Sequence, residues 1–291
     1  MRIGIVGRRG SWYVTALQTV LARRGIDAPC FPVTRLTARL GGGTPMVACC
    51  GEPMESCDVL LVRAIPGGSL EQVIYRMDTL HRLENAGVRV INSASTIERS
   101  VDKYYTLTLA EAAGLPTPRT IVAERFDDAL AAYHELAGDV VLKPLFGSEG
   151  RGIVRITDVD CAYRVFKALE LGNYVYYLQE YVPHSNEDIR VFVINGEPVA
   201  AMVRRGKSWK TNIANGASAA SLVLDDTLRR MSIDAVRALG AVYAGVDILP
   251  CEGGGYMLIE VNGIPGWRGL QSATGIDVPE LLVDHILNGM Q

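Results

Sequence analysis

The sequence predicts a mixed fold: an α/β unit with a mostly parallel sheet, followed by α+β units built around hairpins. Three observations carry this. Short apolar runs alternate with helix-spaced segments from residue 1 to about residue 98. A glycine loop, FGSEGRG, separates two strand-like runs, DVVLKP and GIVRIT. Beyond residue 184, apolar runs flank Asn195-Gly196 and the glycine-rich stretch Glu252 to Gly255. Alternation of strand and helix implies parallel pairing through helical crossovers. Tight glycine turns between apolar runs imply antiparallel pairing.

In the first part, RIGIV reads as a strand and SWYVTALQTVLARRG as a helix. APCFPV, MVACC and DVLLVRA are strand-like, a helix covers about Ser69 to Ala86, and VRVIN is a further strand. The glycines of GIVGRRGSW (Gly4, Gly7 and Gly10) lack the GxGxxG spacing of a dinucleotide site, and no acidic residue clearly ends a second strand. This segment is read as an ordinary strand–turn–helix, whose glycines can still lie beside a substrate. The next part opens with a helix from Asp102 to Ala113, stopped by Gly114, Pro116 and Pro118. RTIVA is a strand, a helix runs from about Phe126 to Ala137, and the glycine loop follows DVVLKP. After GIVRIT come a helix from about Val159 to Leu171 and the strand YVYYLQEYV. Two hairpins, a helix between them and a terminal helix make up the remainder. The expected divisions are 1–98, 99–183 and 184–291.

The chain of 291 residues is long enough for two or three compact units. With 48% hydrophobic and 21% charged residues, its composition is that of an ordinary enzyme. A net charge of −3 and a pI near 5.9 give no support for a general nucleic-acid binder. No run approaches the roughly 18–20 apolar residues that span a bilayer. The start of the chain lacks signal-peptide features. Of the six cysteines (Cys30, Cys49, Cys50, Cys57, Cys161 and Cys251), none forms a CxxC or a zinc-like Cys/His cluster. Cys49-Cys50 is read as a pair of strand residues. Reduced thiols and no signal lead to the expectation of a cytoplasmic protein, with no membrane and no nucleic-acid partner.

The strongest chemical signal is AGVDILPCEGGGYMLIEVNGIPG. If Cys251 pairs with Tyr256 across the turn, Asp247 sits opposite Glu260. Asn262 and Leu258 then share that face, and Ile259 and Val261 take the other. Two carboxylates and an amide oxygen on one patch suit Mg²⁺, which takes one or two carboxylates plus substrate phosphates. The competing reading is a solvated acidic face, and a shift of one residue would undo the convergence. The glycine loop offers backbone N–H groups from Gly147, Gly150 and Gly152 to phosphate oxygens; a flexible hairpin tip is its alternative. Lys143 precedes that loop and Lys103 begins the helix before it. Each suits a nucleotide phosphate as a point cation, or is a surface charge. Gln179-Glu180-Tyr181-Val182 offers backbone and carboxylate partners for an adenosine. If Ile194 pairs with Glu197, Asp188 and Arg190 share a face with Val203 and Arg205, while Arg204 points away. Cations on that face can stabilise a transferring phosphoryl group, or the face is simply exposed and charged.

In this order, DKYYTLTLAEAAGLPTPRT, VVLKPLFGSEGRGIV, LQEYV, DIRVFVINGEPVAAMVRR, WKTNIANGA, GVDIL and EVNGIPGWRGLQSATGID resemble the ATP-grasp superfamily, especially the RimK-like amino-acid (α-L-glutamate) ligases. The likeness runs from about Asp102 to the end, and residues 1–98 look like a pre-ATP-grasp α/β domain. It implies two α+β subdomains gripping ATP, with Mg²⁺ (Mn²⁺ able to replace it) on Asp247, Glu260 and Asn262. Lys103 and Lys143 would hold phosphates, covered by the loop from Gly147 through Ser148 and Gly150 to Gly152. Gln179, Glu180 and Val182 would border the adenine, and Glu180 or Asp188 the ribose. Arg190 and one of Arg204 or Arg205 would face the γ-phosphate, with Lys210 and Asn212 near the reacting groups. The implied reaction makes an amide from an amino acid and a carboxylate through an acyl phosphate. Relatives are often dimers or tetramers, so a homo-oligomer is an expectation.

The chain departs from the common pattern at Gly263 and in PGWRGLQ. Trp267 and Arg268 can form an acceptor pocket, by stacking and carboxylate binding, or pack against the terminal helix. This variant is similar to ligases linked to tetrahydromethanopterin-type cofactors, which makes glutamate a candidate amino acid and a pterin-type molecule or peptide a candidate acceptor. The alternative is a non-catalytic ATP-binding protein of the same fold.

Overall fold

The computed structural model describes residues 1–42, 44–147, 150–211 and 216–289. The chain begins with β1 (Ile3–Val6), α1 (Trp12–Arg23) and β2 (Cys30–Phe31). A small insert follows, β3 (Leu36–Ala38), β4 (Val47–Cys49) and β5 (Glu52–Pro53), then β6 (Val59–Val62), α2 (Leu70–Asn85) and β7 (Arg89–Ile91). Strands β2-β1-β6-β7 form a parallel sheet whose interior residues are buried on both faces. That explains why RIGIV and DVLLVRA read as continuous apolar runs. Gly4 lies within β1, where a Cβ would stand 2.5 Å from Phe31, so sheet packing accounts for it without a nucleotide. MVACC departs from expectation. Its strand β4 leaves the parallel sheet for the antiparallel order β3-β4-β5. The reason is local: Cys49 pairs with Glu52 across Cys50-Gly51, which have φ of 53° and 87°. Positive φ at both central residues makes a tight hairpin turn.

The expected helix from Asp102 to Ala113 is the second of two consecutive helices, α3 (Ala94–Val101) and α4 (Lys103–Ala112). Asp102 ends the first and caps the second, its carboxylate accepting from Tyr105 N–H at 3.0 Å. Then come β8 (Thr120–Ala123), α5 (Phe126–Glu135), β9 (Val140–Lys143), β10 (Val154–Ile156), α6 (Val159–Glu170) and β11 (Tyr176–Glu180). The sheet order is β10-β9-β11-β8, antiparallel throughout. Its core, with Phe126, Tyr133, Phe166, Tyr176 and Leu178, is a cluster of its own.

The last part holds β12 (Glu187–Ile194), β13 (Glu197–Arg205), β14 (Ser218–Ser221), α7 (Asp226–Leu239), β15 (Tyr243–Pro250), β16 (Tyr256–Asn262), α8 (Arg268–Thr274) and α9 (Val278–Asn288). Sequence reading missed β14 and α8. The sheet runs β14-β13-β12-β15-β16. Val191, Val193, Val246 and Leu258 pack under α7, and Ala110 of α4 joins that core. Phe192, Ile194 and Tyr243 instead share a core with α1, β1 and α9. The Asn92 amide adds a polar tie, donating to the carbonyls of Tyr243 and Gly263 at 2.8 and 2.7 Å and accepting from Val242 N–H. The first and last units therefore form one body, and the β8–β11 unit stands across a cleft from it.

Both hairpins depart from the simple registers. Between β12 and β13, Ile194 pairs with Glu197, but the register shifts between Phe192 and Val193. Asp188 consequently pairs with Arg204 and Arg190 with Met202. One extra residue in one strand exchanges the faces of everything beyond it. Between β15 and β16, the turn is one residue longer than expected, since Pro250 rather than Cys251 pairs with Tyr256. A second shift between Asp247 and Ile248 restores the Asp247–Glu260 pair. The two offsets cancel at the carboxylates but not between them. Leu258 is buried in the core, and Ile259 faces the cleft, the reverse of expectation.

Candidate active site

The cleft encloses about 870 Å³ between the middle unit and the fused first and last units. On one wall stand Asp188 and Arg190 from β12, Arg204 from β13, Asp247 from β15 and Glu260 and Asn262 from β16. Arg190 donates from Nε and Nη2 to the two oxygens of Asp247 at 2.7 and 2.5 Å. Arg204 does the same to Asp188 at 2.6 and 2.5 Å, and its Nη2 lies 3.2 Å from Asp247 Oδ1. Burial raises the Asp247 carboxyl, but the guanidinium charges of Arg190 and Arg204 outweigh it and hold the group below the usual carboxylate range. Asp188, with fewer cations, is pushed up by burial.

Arg204, not Arg205, faces the cleft. The β12–β13 bulge turns Arg205 outward, where it pairs with Glu187 on the exposed side. Of the two arginines expected at the phosphate, the cleft therefore holds Arg204 and not Arg205.

The opposite wall carries Lys143 at the end of β9, with Lys103 at the start of α4 completing a pair of cations. Lys143 Nζ donates to Gln179 Oε1 at 2.6 Å, and Gln179 in turn donates to Thr120 Oγ1 at 3.0 Å. Burial pushes Lys143 down to about 8, against the opposing field of Glu260, while Lys103 adds to the depression. Burial also lowers Lys103, again opposed by Glu260. Glu260 is thus the acidic residue that both lysines feel. Lys103 Nζ holds the glycine loop by the Gly147 carbonyl at 2.8 Å, and Lys210 Nζ holds its far side by the Ile153 carbonyl at 2.7 Å. Gly150 and Gly152 have φ of 70° and 74°, which only glycine adopts without cost, so the loop's form depends on them. Ser148 and Asn212 lie outside the described residues.

Gln179, Glu180 and Val182 reach the cleft at the end of β11. The Glu180 carboxylate accepts from Arg119 N–H at 2.9 Å. Buried His184 spans the Val182 and Trp209 carbonyls at 2.7 and 3.0 Å, tying this strand end to the loop bearing Lys210. Trp267 is not a cleft residue. It is 0% exposed, edge-on to Tyr13 at 5.1 Å and Phe192 at 6.1 Å, and shares a core with Leu282 and Ile286 of the terminal helix, so of its two expected places the structure shows the packed one and not the acceptor pocket. Arg268 does line the cleft.

Sequence reading passed over Tyr13, Arg63 and Trp209, and took His184 as a structural or surface residue. Arg63 carried a usable signal, because it directly follows the buried strand β6 and ligands gather at the carboxyl ends of such strands. His184 and Trp209 lie in irregular loops, where no periodicity marks them.

Asp247, Glu260 and Asn262 supply hard oxygens suited to Mg²⁺. Asp247 already accepts three N–H contacts, and a carboxylate has about four lone-pair sites, so one remains. Among the described residues no cluster of three or more His, Cys, Asp or Glu could hold a metal by itself. No helix is long and apolar enough to cross a membrane, among the described residues.

Residues 1–97 match the RimK PreATP-grasp domain, and residues 100–286 match the RimK-like ATP-grasp domain. The tetrahydromethanopterin:alpha-L-glutamate ligase of Methanococcus maripaludis is 32% identical over 293 residues, covering 99% of this chain and 98% of that protein. The alpha-aminoadipate–LysW ligase LysX of Sulfurisphaera tokodaii is 33% identical over 232 residues, covering 75% of this chain and 81% of that one. Among solved structures, the ATP-grasp ligase PsnB with its minimal precursor superposes with a TM-score of 0.78 at 21% identity, covering 99% of both chains. The chain belongs to the RimK-like ATP-grasp family and is an ATP-dependent carboxylate–amine ligase with an amino-terminal pre-ATP-grasp domain.

Proposed function

We infer that this cleft joins glutamate or a closely related amino acid to a small-molecule acceptor carboxylate of the pterin-cofactor type. One observation carries the reading of the site: the oxygen donors Asp247, Glu260 and Asn262 line the same cleft as Lys103 and Lys143, with Arg190 and Arg204 beside the carboxylates. The end-to-end likeness to a tetrahydromethanopterin:alpha-L-glutamate ligase supports the choice of substrates.

In this reading the nucleotide's phosphates lie between the lysines and the carboxylates, under the glycine loop. The adenine fits the strand end at Gln179–Val182, which lines the cleft. Asp247, Glu260 and Asn262 would hold Mg²⁺, which would neutralise phosphate charge. Arg190 and Arg204 each keep N–H donors beyond those given to Asp247 and Asp188, and these meet the charge on the transferring phosphoryl group. The acceptor carboxylate oxygen attacks the γ-phosphorus, the bond to the β-phosphate oxygen breaks, and ADP leaves. The amine nitrogen then attacks the acyl carbon, the C–O bond to phosphate breaks, and an amide forms. Positioning and fixed charge do this work, with no histidine base. We place the enzyme in the cytoplasm, where its six free thiols stay reduced.

The test is ADP release with Mg-ATP, amino-acid pools, and pterin, peptide and small-acid acceptors. Release that requires both an amino acid and an acceptor, with the mass gain of an amide, supports the reading. Release with peptide acceptors alone would contradict the small-molecule assignment.

A further inference from the structure

Arg63 differs from the other deeply buried cations of the cleft. It is 7% exposed, and among the described residues it has no carboxylate partner. Arg190 and Arg204 hold Asp247 and Asp188, and Lys143 holds Gln179. Arg63 Nη1 donates to the Tyr243 hydroxyl at 2.9 Å and Nη2 to the Pro265 carbonyl at 2.7 Å. Its Nε is buried without a partner. A guanidinium carries five N–H donors, so most of this one's capacity is unused.

The rings of Trp267, Tyr13 and Tyr243 surround its Cζ at 4.1, 5.5 and 5.8 Å. Ring faces offset part of the cost of burying a cation. They do nothing for the in-plane N–H groups, whose paired geometry matches a carboxylate. The side chain lines the cleft, and so does Tyr13, whose hydroxyl would stand 2.6 Å from a Cβ at Gly266. A glycine there lets the ring lie against the chain.

The position within the cleft is also fixed. A Cβ at Gly245 would lie 2.9 Å from Pro265 Cβ and 3.8 Å from Arg190 Nε. Pro265, whose carbonyl binds Arg63, and the Arg190 guanidinium that holds Asp247 therefore stand on either side of the same glycine. The carboxylate that takes the phosphoryl group loses its charge and belongs with Arg190 and Arg204. An amino acid brings a second carboxylate, two bonds from its attacking nitrogen.

Building on the ligase reading, we propose that Arg63, with the Tyr13 hydroxyl beside it, binds the α-carboxylate of the amino acid whose amine attacks. The amino-terminal domain then selects the amine substrate, and Arg63 sets the position of its nitrogen.

The experiment compares the amino-acid substrate with its α-carboxamide, in the wild type and in R63Q, R63K and Y13F. In the wild type the carboxamide should lose on the order of 100-fold in kcat/KM, because a charged bidentate contact is missing. R63Q should raise KM for the amino acid by about the same factor, leave KM for ATP within about twofold, and erase the acid–amide difference. R63K should recover only part of the discrimination, and Y13F should cost about tenfold. A merely structural Arg63 would lower activity with acid and amide alike, and an unchanged acid–amide ratio in R63Q would overturn the assignment. Should R63Q fail to fold, the wild type decides: use of carboxamide and acid with equal efficiency overturns it as well. Those outcomes leave the ligase reading standing, because amide product is still made. A wild type that makes no amide from any amino acid removes both.

Discussion

Arg204 grips Asp188 with two hydrogen bonds of 2.6 and 2.5 Å and reaches Asp247 at 3.2 Å with the same Nη2. Its sequence neighbour Arg205 faces outward to Glu187. The two arginines should respond very differently to the same substitution. R204K loses the planar fork and should lower kcat by about 100- to 1000-fold, the usual loss for a transition-state donor. R205K, on an exposed pair, should stay within about twofold. Steady-state ADP release measures both; a larger loss in R205K would refute the register.

Glu260→Gln keeps the shape of the side chain and removes one metal-binding charge. Mg-ATP turnover should fall by about 1000-fold or more. Thermal unfolding should remain within a few degrees of the wild type, since Glu260 is half-exposed and no ion pair among the described residues depends on it. Near-normal turnover in the folded variant would remove the metal assignment.

The account also predicts a pH dependence. Lys143 is pushed down to about 8, chiefly by burial. Its charged form is the one that suits a phosphate. KM for Mg-ATP should be flat below about pH 7 and climb towards tenfold per unit above about 8. K143R should remove the climb. The same shift has a stability consequence. Between about 8 and the ordinary lysine value of 10.5, the unfolded chain binds more protons than the folded one, so stability contributed by this group rises with pH across that window and is lowest below it. A flat KM profile from pH 7 to 9.5 would contradict the lysine's role.

Trp267 and Arg268 should separate cleanly. W267A opens a cavity in a fully buried core and should cost about 3–5 kcal/mol. That corresponds to a drop in Tm on the order of 10 °C. Arg268→Ala changes an exposed cleft residue, so Tm should hold and only a substrate KM should rise. Calorimetry and kinetics on the two variants check this.

These residues show where the sequence could be read and where it could not. Strand-like runs alternating with helix-spaced segments announced the parallel sheet, and a glycine-rich turn between two apolar runs announced the hairpin carrying Asp247 and Glu260. Bulges leave no such trace. The shift between Phe192 and Val193 exchanged Arg204 for Arg205, while paired offsets near Asp247 hid one another and misplaced only Leu258 and Ile259. The sequence left Trp267 open between an acceptor pocket and the terminal helix, because a tryptophan beside an arginine carries no burial information. It took the fold of α8, itself unannounced after Pro265-Gly266, to turn that ring inward. Arg63 was legible only by position, as a cation ending a buried strand.

The measurement that tests the central claim most directly uses an acceptor labelled with ¹⁸O in its carboxylate. Phosphoryl transfer to that carboxylate, followed by amine attack, carries one labelled oxygen into inorganic phosphate for each amide formed, with ADP as the nucleotide product. The account predicts that stoichiometry. Unlabelled phosphate, or label appearing in AMP, would contradict an acyl phosphate made in this cleft.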